Sequence, residues 1–235
     1  MAETLEYSEG GITFQAHVAL PEGGDRRPAV LVAHAFTGQC DFERGRADAL
    51  ARLGYVGVAL DVYGKGKQNL TQEQAGPECG ALQTDRALLL RRLRAGVDAV
   101  RNHARVDGGR IAAIGYCFGG LSVLDLARGN APLRGVVSFH GVFTPPNLGP
   151  QAPISPKILV LHGWDDPWAK PEAVVDLARE LTDAKADWQI HAYGHAGHAF
   201  TDRAVAKTDG GFGHDEPADR RSWRAATDFL VEILG

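Results

Sequence analysis

A continuous apolar run, Ile111-Ala112-Ala113-Ile114, passes directly into Gly115-Tyr116-Cys117-Phe118-Gly119-Gly120, and a helix-like segment follows from Leu121 to Arg128. Few folds accommodate a buried strand that turns at once into a helix through Gly-x-Cys-x-Gly-Gly, because the apex residue must adopt a strained backbone conformation. The flanking glycines have a steric reason: side chains two residues to either side of the apex would collide across the turn. Such a turn lifts the Cys117 sulfur above the end of the sheet and aims it at the N-terminus of the next helix. Unpaired N–H groups and the helix dipole there favour thiolate over thiol. This is the layout of a nucleophile elbow with cysteine in the position usually held by serine. The plainer alternative is a buried structural cysteine, a common fate for free Cys, but it leaves the order strand, glycine turn, helix unexplained.

A chain of 235 residues is long enough for a full core, and residues 1–235 read as a single domain with no internal repeat and no interdomain linker. The net charge of −4 is spread along the chain. No basic run points to nucleic acid or to an anionic membrane as partner. Met1-Ala2-Glu3-Thr4-Leu5-Glu6 lacks the cationic and apolar regions of a secretory signal, and no apolar run approaches bilayer length. Cys40, Cys79 and Cys117 are an odd number without CxxC spacing, which argues against a disulfide framework and a zinc site. The expectation is a cytoplasmic protein, monomer or homodimer, with a small-molecule substrate and neither cofactor nor metal.

Gly11–Leu20 and Pro28–His34 read as early strands separated by the turn Pro21-Glu22-Gly23-Gly24-Asp25. Asp41 is placed to cap a helix running to Leu53, which Gly54 stops, and Tyr55–Leu60 is the next buried strand. Residues 61–80, rich in Gly, Lys, Gln and Glu, read as a long surface loop with some helix. An amphipathic helix fits 82–104, with Leu89, Leu93, Val97 and Val100 on one face and arginines on the other. Strands are expected at Arg110–Ile114, Gly135–Phe139, Lys157–Leu161 and Trp188–Tyr193, and helices at Pro171–Leu181 and Pro217–Leu234. Continuous apolar strands alternating with helices define an α/β fold, a mostly parallel central sheet with helices on both faces. Active groups in such sheets gather beyond the carboxyl ends of the strands.

A nucleophilic Cys117 needs a base, and the base needs an orienting carboxylate, in the chain order nucleophile, acid, histidine. The strand Lys157–Leu161 ends in His162-Gly163-Trp164-Asp165-Asp166-Pro167. Asp166 is the favoured acid, past the glycine turn and held extended by Pro167, with Asp165 left to stabilise the turn. The last strand ends in Tyr193-Gly194-His195-Ala196-Gly197-His198-Ala199-Phe200. His198 is favoured over His195, and the surrounding glycines suit a mobile loop. Metal binding by His191, His195 and His198 is the competing reading, but no Cys or carboxylate ligand accompanies them at a familiar spacing. The oxyanion donors expected for acyl transfer are the backbone N–H groups of Phe118 and of Phe36, in the loop His34-Ala35-Phe36-Thr37-Gly38. Phe36, Tyr116, Phe118, Trp164, Trp168 and Phe200 are aromatic groups near the site. Of these Tyr116, Trp164, Trp168 and Phe200 are the candidates for a substrate pocket, and each could equally be core.

These motifs resemble the dienelactone hydrolase family. The elbow Gly115-Tyr116-Cys117-Phe118-Gly119-Gly120, the acid loop Gly163-Trp164-Asp165-Asp166 and the histidine loop Gly197-His198-Ala199-Phe200 are each similar to that family's motifs. So are Gly54-Tyr55 and Leu60-Asp61-Val62-Tyr63-Gly64. The likeness runs from about Thr13 to the C-terminal helix. It implies an α/β-hydrolase fold and a Cys-His-Asp hydrolase, carboxylesterase-like, acting on esters or lactones through a thioacyl intermediate. Two positions depart from the family. A glutamate that interacts with the resting thiol is replaced by Ala35, and an arginine that holds a substrate carboxylate, four residues past the histidine, is replaced by Asp202, with Arg203 beside it. Neutral substrates are therefore expected over anionic ones, unless Arg203 or a basic residue of the Arg86–Arg94 region supplies the clamp. The rival reading is a hydrolase-fold binding or redox-sensing protein with a reactive Cys117, little turnover and Cys40 as the one candidate resolving thiol.

Overall fold

Strands that are apolar on both faces need cover on both faces, and this decides how the chain is layered. The computed structural model describes residues 1–149 and 152–235. In order, its elements are β1 (Ala2–Glu9), β2 (Ile12–Ala19), β3 (Arg27–Ala33), α1 (Asp41–Arg52), β4 (Val56–Ala59), α2 (Gln72–Thr84) and α3 (Arg86–Arg101). There follow β5 (Val106–Tyr116), α4 (Phe118–Arg128), β6 (Gly135–Phe139), β7 (Lys157–Gly163), α5 (Pro171–Asp183), β8 (Trp188–Tyr193) and α6 (Glu216–Leu234). They form one eight-stranded sheet in the order β1-β2-β4-β3-β5-β6-β7-β8. β1 pairs antiparallel with β2, and β2 with β4; every other pairing is parallel.

The period of two is visible residue by residue. Ala29, Leu31 and Ala33 of β3, with Ile111 and Ala113 of β5, enter a core shared with Leu89, Leu93, Val97 and Val100 of α3 and Leu177 and Leu181 of α5. Val30 and Val32, with Ala112 and Ile114, enter the opposite core with Ala47 and Leu50 of α1 and Phe229, Leu230 and Leu234 of α6. α4 is buried along its whole length, which is why it can be as apolar as a strand.

Three expectations from the sequence shift, and the helix expected within residues 61–80 gains its bounds. β1 forms an edge strand that the sequence reading left out, because its side chains are mostly exposed and include three glutamates. The N-cap of α1 is Cys40 rather than Asp41: the Glu43 carboxylate accepts from the Cys40 backbone N–H at 2.9 Å, and Asp41 falls in the first turn. Residues 61–80 hold the start of α2, which Thr71 caps by accepting from Gln74 N–H at 3.3 Å. The helix expected over 82–104 is divided at Asp85, whose side chain accepts from Leu88 N–H at 2.8 Å and starts α3 afresh.

Candidate active site

Tyr116 ends β5, Cys117 has φ 55° and ψ −113°, and Phe118 opens α4. That left-handed apex is anchored by the Cys117 N–H, which donates to Phe139 O at 3.1 Å. The glycines are dictated by contact. A Cβ on Gly115 would lie 2.1 Å from Gly119 O, and one on Gly119 would lie 2.1 Å from Ala33 O. Cys117 is partly exposed and sits at the head of α4, in the field of its unpaired N–H groups.

Beyond β7, Asp166 is buried while Asp165 and Trp164 face solvent. Asp166 accepts on both oxygens, from Trp168 N–H at 2.8 Å and from His198 Nδ1–H at 2.8 Å. That division follows from the turn, in which Asp166 N–H bonds back to Gly163 O and directs the side chain inward. Burial pushes the His198 imidazole towards neutrality, but the hydrogen bond to Asp166 and the nearby Cys117 sulfur outweigh it and raise its pKa to about 9. Its Nε2 is sealed from solvent and makes no aligned hydrogen bond in this resting arrangement, a common state before substrate closes the geometry. The histidine loop is firmly tied. His198 N–H donates to Gly211 O at 2.7 Å, and Gly213 N–H donates to His198 O at 2.8 Å. Gly197, directly before the histidine, therefore serves close approach rather than the mobility expected of it: a Cβ there would meet Gly211 O at 1.9 Å, whereas Gly194 has open space around it. His191 and His195 stay exposed, whereas His198 is buried. Among the described residues no group of three or more His, Cys, Asp or Glu side chains is placed to hold a metal ion.

The loop after β3 is held at nearly every residue. Ala35 N–H donates to Glu43 Oε1 at 3.0 Å, Tyr63 OH donates to Phe36 O at 2.8 Å, and Leu70 N–H donates to Thr37 O at 2.8 Å. Phe36 N–H donates to no protein acceptor among the described residues. The Phe118 N–H, first of its helix, has no intrahelical acceptor either. Glu43 also receives the Cys40 thiol at 3.1 Å. Burial, with the Glu43 charge and hydrogen bond, pushes that thiol up to about 12, which makes Cys40 a poor resolving partner.

A cavity of about 560 Å³ opens over Cys117 and His198. Phe36, Phe42, Tyr116, Trp168, Val205 and Phe212 supply its apolar wall, while Glu43 and Asp202 supply carboxylates. Trp168 is 56 % exposed and its ring centre lies 4.4 Å from that of His198. Two of the aromatic residues expected in the pocket are elsewhere. Trp164 turns outward past the end of β7, and Phe200 is fully buried in a small core with Ala196 and Ala218, behind His140. His140 itself, at the end of β6, was missed by the sequence reading. It is 2 % exposed, lines the cavity, stands edge-on to His198 with ring centres 5.1 Å apart, and bonds Thr201 Oγ1 through Nε2 at 2.8 Å. Burial keeps it neutral. A histidine-glycine pair just past an expected strand was its one trace in the sequence.

A mostly parallel sheet of this order, with a glycine-flanked cysteine elbow after β5, a buried aspartate after β7 and a histidine after β8, is an α/β-hydrolase fold. The family model described as the dienelactone hydrolase family matches residues 14–234, and the chain belongs to that family. It is a dienelactone hydrolase-like hydrolase of esters or lactones. Among solved structures it is similar to a dienelactone hydrolase-like promiscuous phosphotriesterase from metagenomic libraries, at 32 % identity and TM-score 0.91, covering 100 % of this chain and 99 % of that one. It is 29 % identical to a carboxymethylenebutenolidase of a Pseudomonas species, over 82 % of each chain. It is 34 % identical to an uncharacterized protein of Caenorhabditis elegans, over 61 % of this chain and 92 % of that one. No helix among the described residues is long and apolar enough to cross a membrane.

Proposed function

We propose that this protein hydrolyses neutral carboxylic esters or lactones by covalent catalysis at Cys117, within one domain that spans residues 1–235. One observation carries the reading: a left-handed cysteine at an elbow shares a cavity with a histidine bonded to a buried aspartate. His198 Nε2 takes the Cys117 proton, and the thiolate adds to the substrate carbonyl. The oxyanion is received by the N–H groups of Phe118 and Phe36. The tetrahedral intermediate expels the alkoxide or enolate, which takes the proton from His198, leaving a thioacyl enzyme. Water, deprotonated by His198, then releases the acid and restores the thiol. Thiolate leaves more readily than an amine or a poor alkoxide, so aryl esters, enol esters and lactones are the substrates, with their apolar portion against Trp168, Phe212 and Phe42.

Asp202 in the cavity supports the preference for neutral substrates, and the basic residues that could offset it are engaged. Arg86 forks onto Asp125 at 2.6 and 2.7 Å, Arg92 donates to Val62 O at 2.8 Å, and Arg46 pairs with Asp219 at 3.1 Å. Arg203 points into solvent, 3.9 Å from Asp219. Neutral phosphotriesters are a second substrate class, favoured by the solved relative named above: a phosphoryl oxygen can occupy the same pair of N–H donors. A panel of lactones, aryl esters and one aryl phosphotriester, run against wild type and Cys117→Ala, tests the reading. Turnover by wild type that vanishes in the variant is expected. A protein that is acylated once and stops would instead support the sensor or binding reading.

A further inference from the structure

His34 has no part in the proton transfers above, is 1 % exposed and does not line the cavity, yet both of its ring nitrogens are engaged. Val62 N–H donates to Nε2 at 3.3 Å, and Nδ1 lies 2.7 Å from Ala35 O. A nitrogen that accepts from a backbone N–H carries no hydrogen, so the neutral ring bears its proton on Nδ1 and donates it to the Ala35 carbonyl. The Ala35 C=O and the Phe36 N–H belong to one planar trans peptide and point in opposite directions. Holding the oxygen therefore aims the N–H, and donation into the carbonyl polarises the unit and makes that N–H a stronger donor. It is this N–H that no protein acceptor takes up among the described residues. The next peptide is fixed from the same side by Tyr63 OH on Phe36 O, and the Tyr63 ring stands edge-on to His34 with centres 4.5 Å apart. The turn bearing Val62 and Tyr63 is rigid in its own right, since Asp61 Oδ1 accepts from both Tyr63 and Gly64 N–H at 2.9 Å.

We propose that His34 is a positioning residue for the oxyanion site, its Nδ1–H on Ala35 O aiming the Phe36 N–H at the developing oxyanion. The inference rests on the reading of Cys117 as nucleophile. The Asp61-Val62-Tyr63 segment in turn seats the ring that seats the peptide.

Two reactions of the same sulfur separate this role from a structural one. Acylation by p-nitrophenyl acetate passes through an oxyanion. Alkylation by iodoacetamide forms the S–C bond as iodide leaves, with no oxyanion to receive. His34→Leu removes the donor, and His34→Asn returns an N–H near the position of Nδ1. In His34→Leu, burst acylation and kcat fall about 100-fold, the scale of one oxyanion donor, while KM and the alkylation rate of Cys117 stay within about threefold. His34→Asn recovers about a tenth or more of the wild-type acylation rate, since a side-chain donor rejoins the longer 3.4 Å bond from Gly38 N–H on the Ala35 carbonyl. Acylation in His34→Leu within about threefold of wild type overturns the proposal. So does a parallel fall in acylation and alkylation, or an Asn variant no better than the Leu variant. A wild-type protein that turns over esters without a burst and without alkylation at Cys117 instead overturns the nucleophile assignment, and this inference with it.

Discussion

Replacing Asp166 by Asn isolates what the aspartate does for His198. The carboxylate is 2 % exposed and accepts the Nδ1 proton at 2.8 Å, so it both fixes the tautomer and stabilises imidazolium. His198 is raised from 6.5 to about 9 despite a burial that lowers it. The net shift corresponds to about 3 kcal/mol of imidazolium stabilisation supplied by Asp166 together with Cys117, so losing the aspartate's part alone costs on the order of 10² in rate if the transition state carries the full charge. An amide N–H facing Nδ1 also favours the tautomer with hydrogen on Nε2, where no proton can be taken from sulfur, so the total loss is about 10³ or more. Asp165, one residue earlier and exposed, offers a control: Asp165→Asn changes kcat by about threefold or less. Steady-state hydrolysis of p-nitrophenyl acetate by both variants, with thermal melts to confirm folding, makes the comparison. A larger loss for Asp165→Asn, or an Asp166→Asn variant within about tenfold of wild type, refutes the reasoning.

Because, against burial, the Asp166 hydrogen bond and Cys117 raise His198 to about 9, the imidazolium that gives its proton to the departing alkoxide is lost as pH climbs through about 9; activity declines there, and the alkaline limb moves to lower pH in Asp166→Asn. The same raised pKa stabilises the fold fully below 6.5 and is lost as pH passes through about 9, so the melting-temperature gap between wild type and Asp166→Asn narrows between those values; a gap that widens is the contrary result. Asp202 in the cavity disfavours anions, and a neutral lactone is processed with kcat/KM about tenfold above its carboxylate analogue, a single close like-charge pair costing about a kilocalorie or more; a tenfold preference for the anion reverses this. Gly119→Ala forces a Cβ to 2.1 Å from Ala33 O and destabilises by about 2 kcal/mol or more, whereas Gly80→Ala, in α2 with nothing within 4 Å, is neutral or stabilising in urea unfolding.

What could be read from the sequence was whatever repeats or whatever is sterically unique. Val30 and Val32 against Ala29, Leu31 and Ala33 already imply two cores, and Gly115 and Gly119 imply a backbone approach that no other residue allows. Asp166 and His198 were legible from their places past buried strands. The misses share a cause in tertiary context. β1 carries no strong pattern because its side chains are mostly exposed, Tyr7 alone being buried. Asp85 ends one helix and begins another with no glycine or proline beside it. Trp164 and Phe200 are as aromatic as Trp168, and only the direction in which each leaves its turn puts Trp168 alone at the cavity. His140 and His34 act through distant partners, Thr201 and Val62, that adjacency in sequence cannot indicate.

The central claim is a covalent bond to one sulfur. Wild-type protein quenched in acid a few turnovers into hydrolysis of p-nitrophenyl acetate, digested and analysed by mass spectrometry, carries an acetyl group on the peptide containing Cys117. The Cys117→Ala variant, folded by its melting curve, carries none and hydrolyses the ester about a thousandfold more slowly. An acetyl group on another residue, or a Cys117→Ala variant within about tenfold of wild type, contradicts the account.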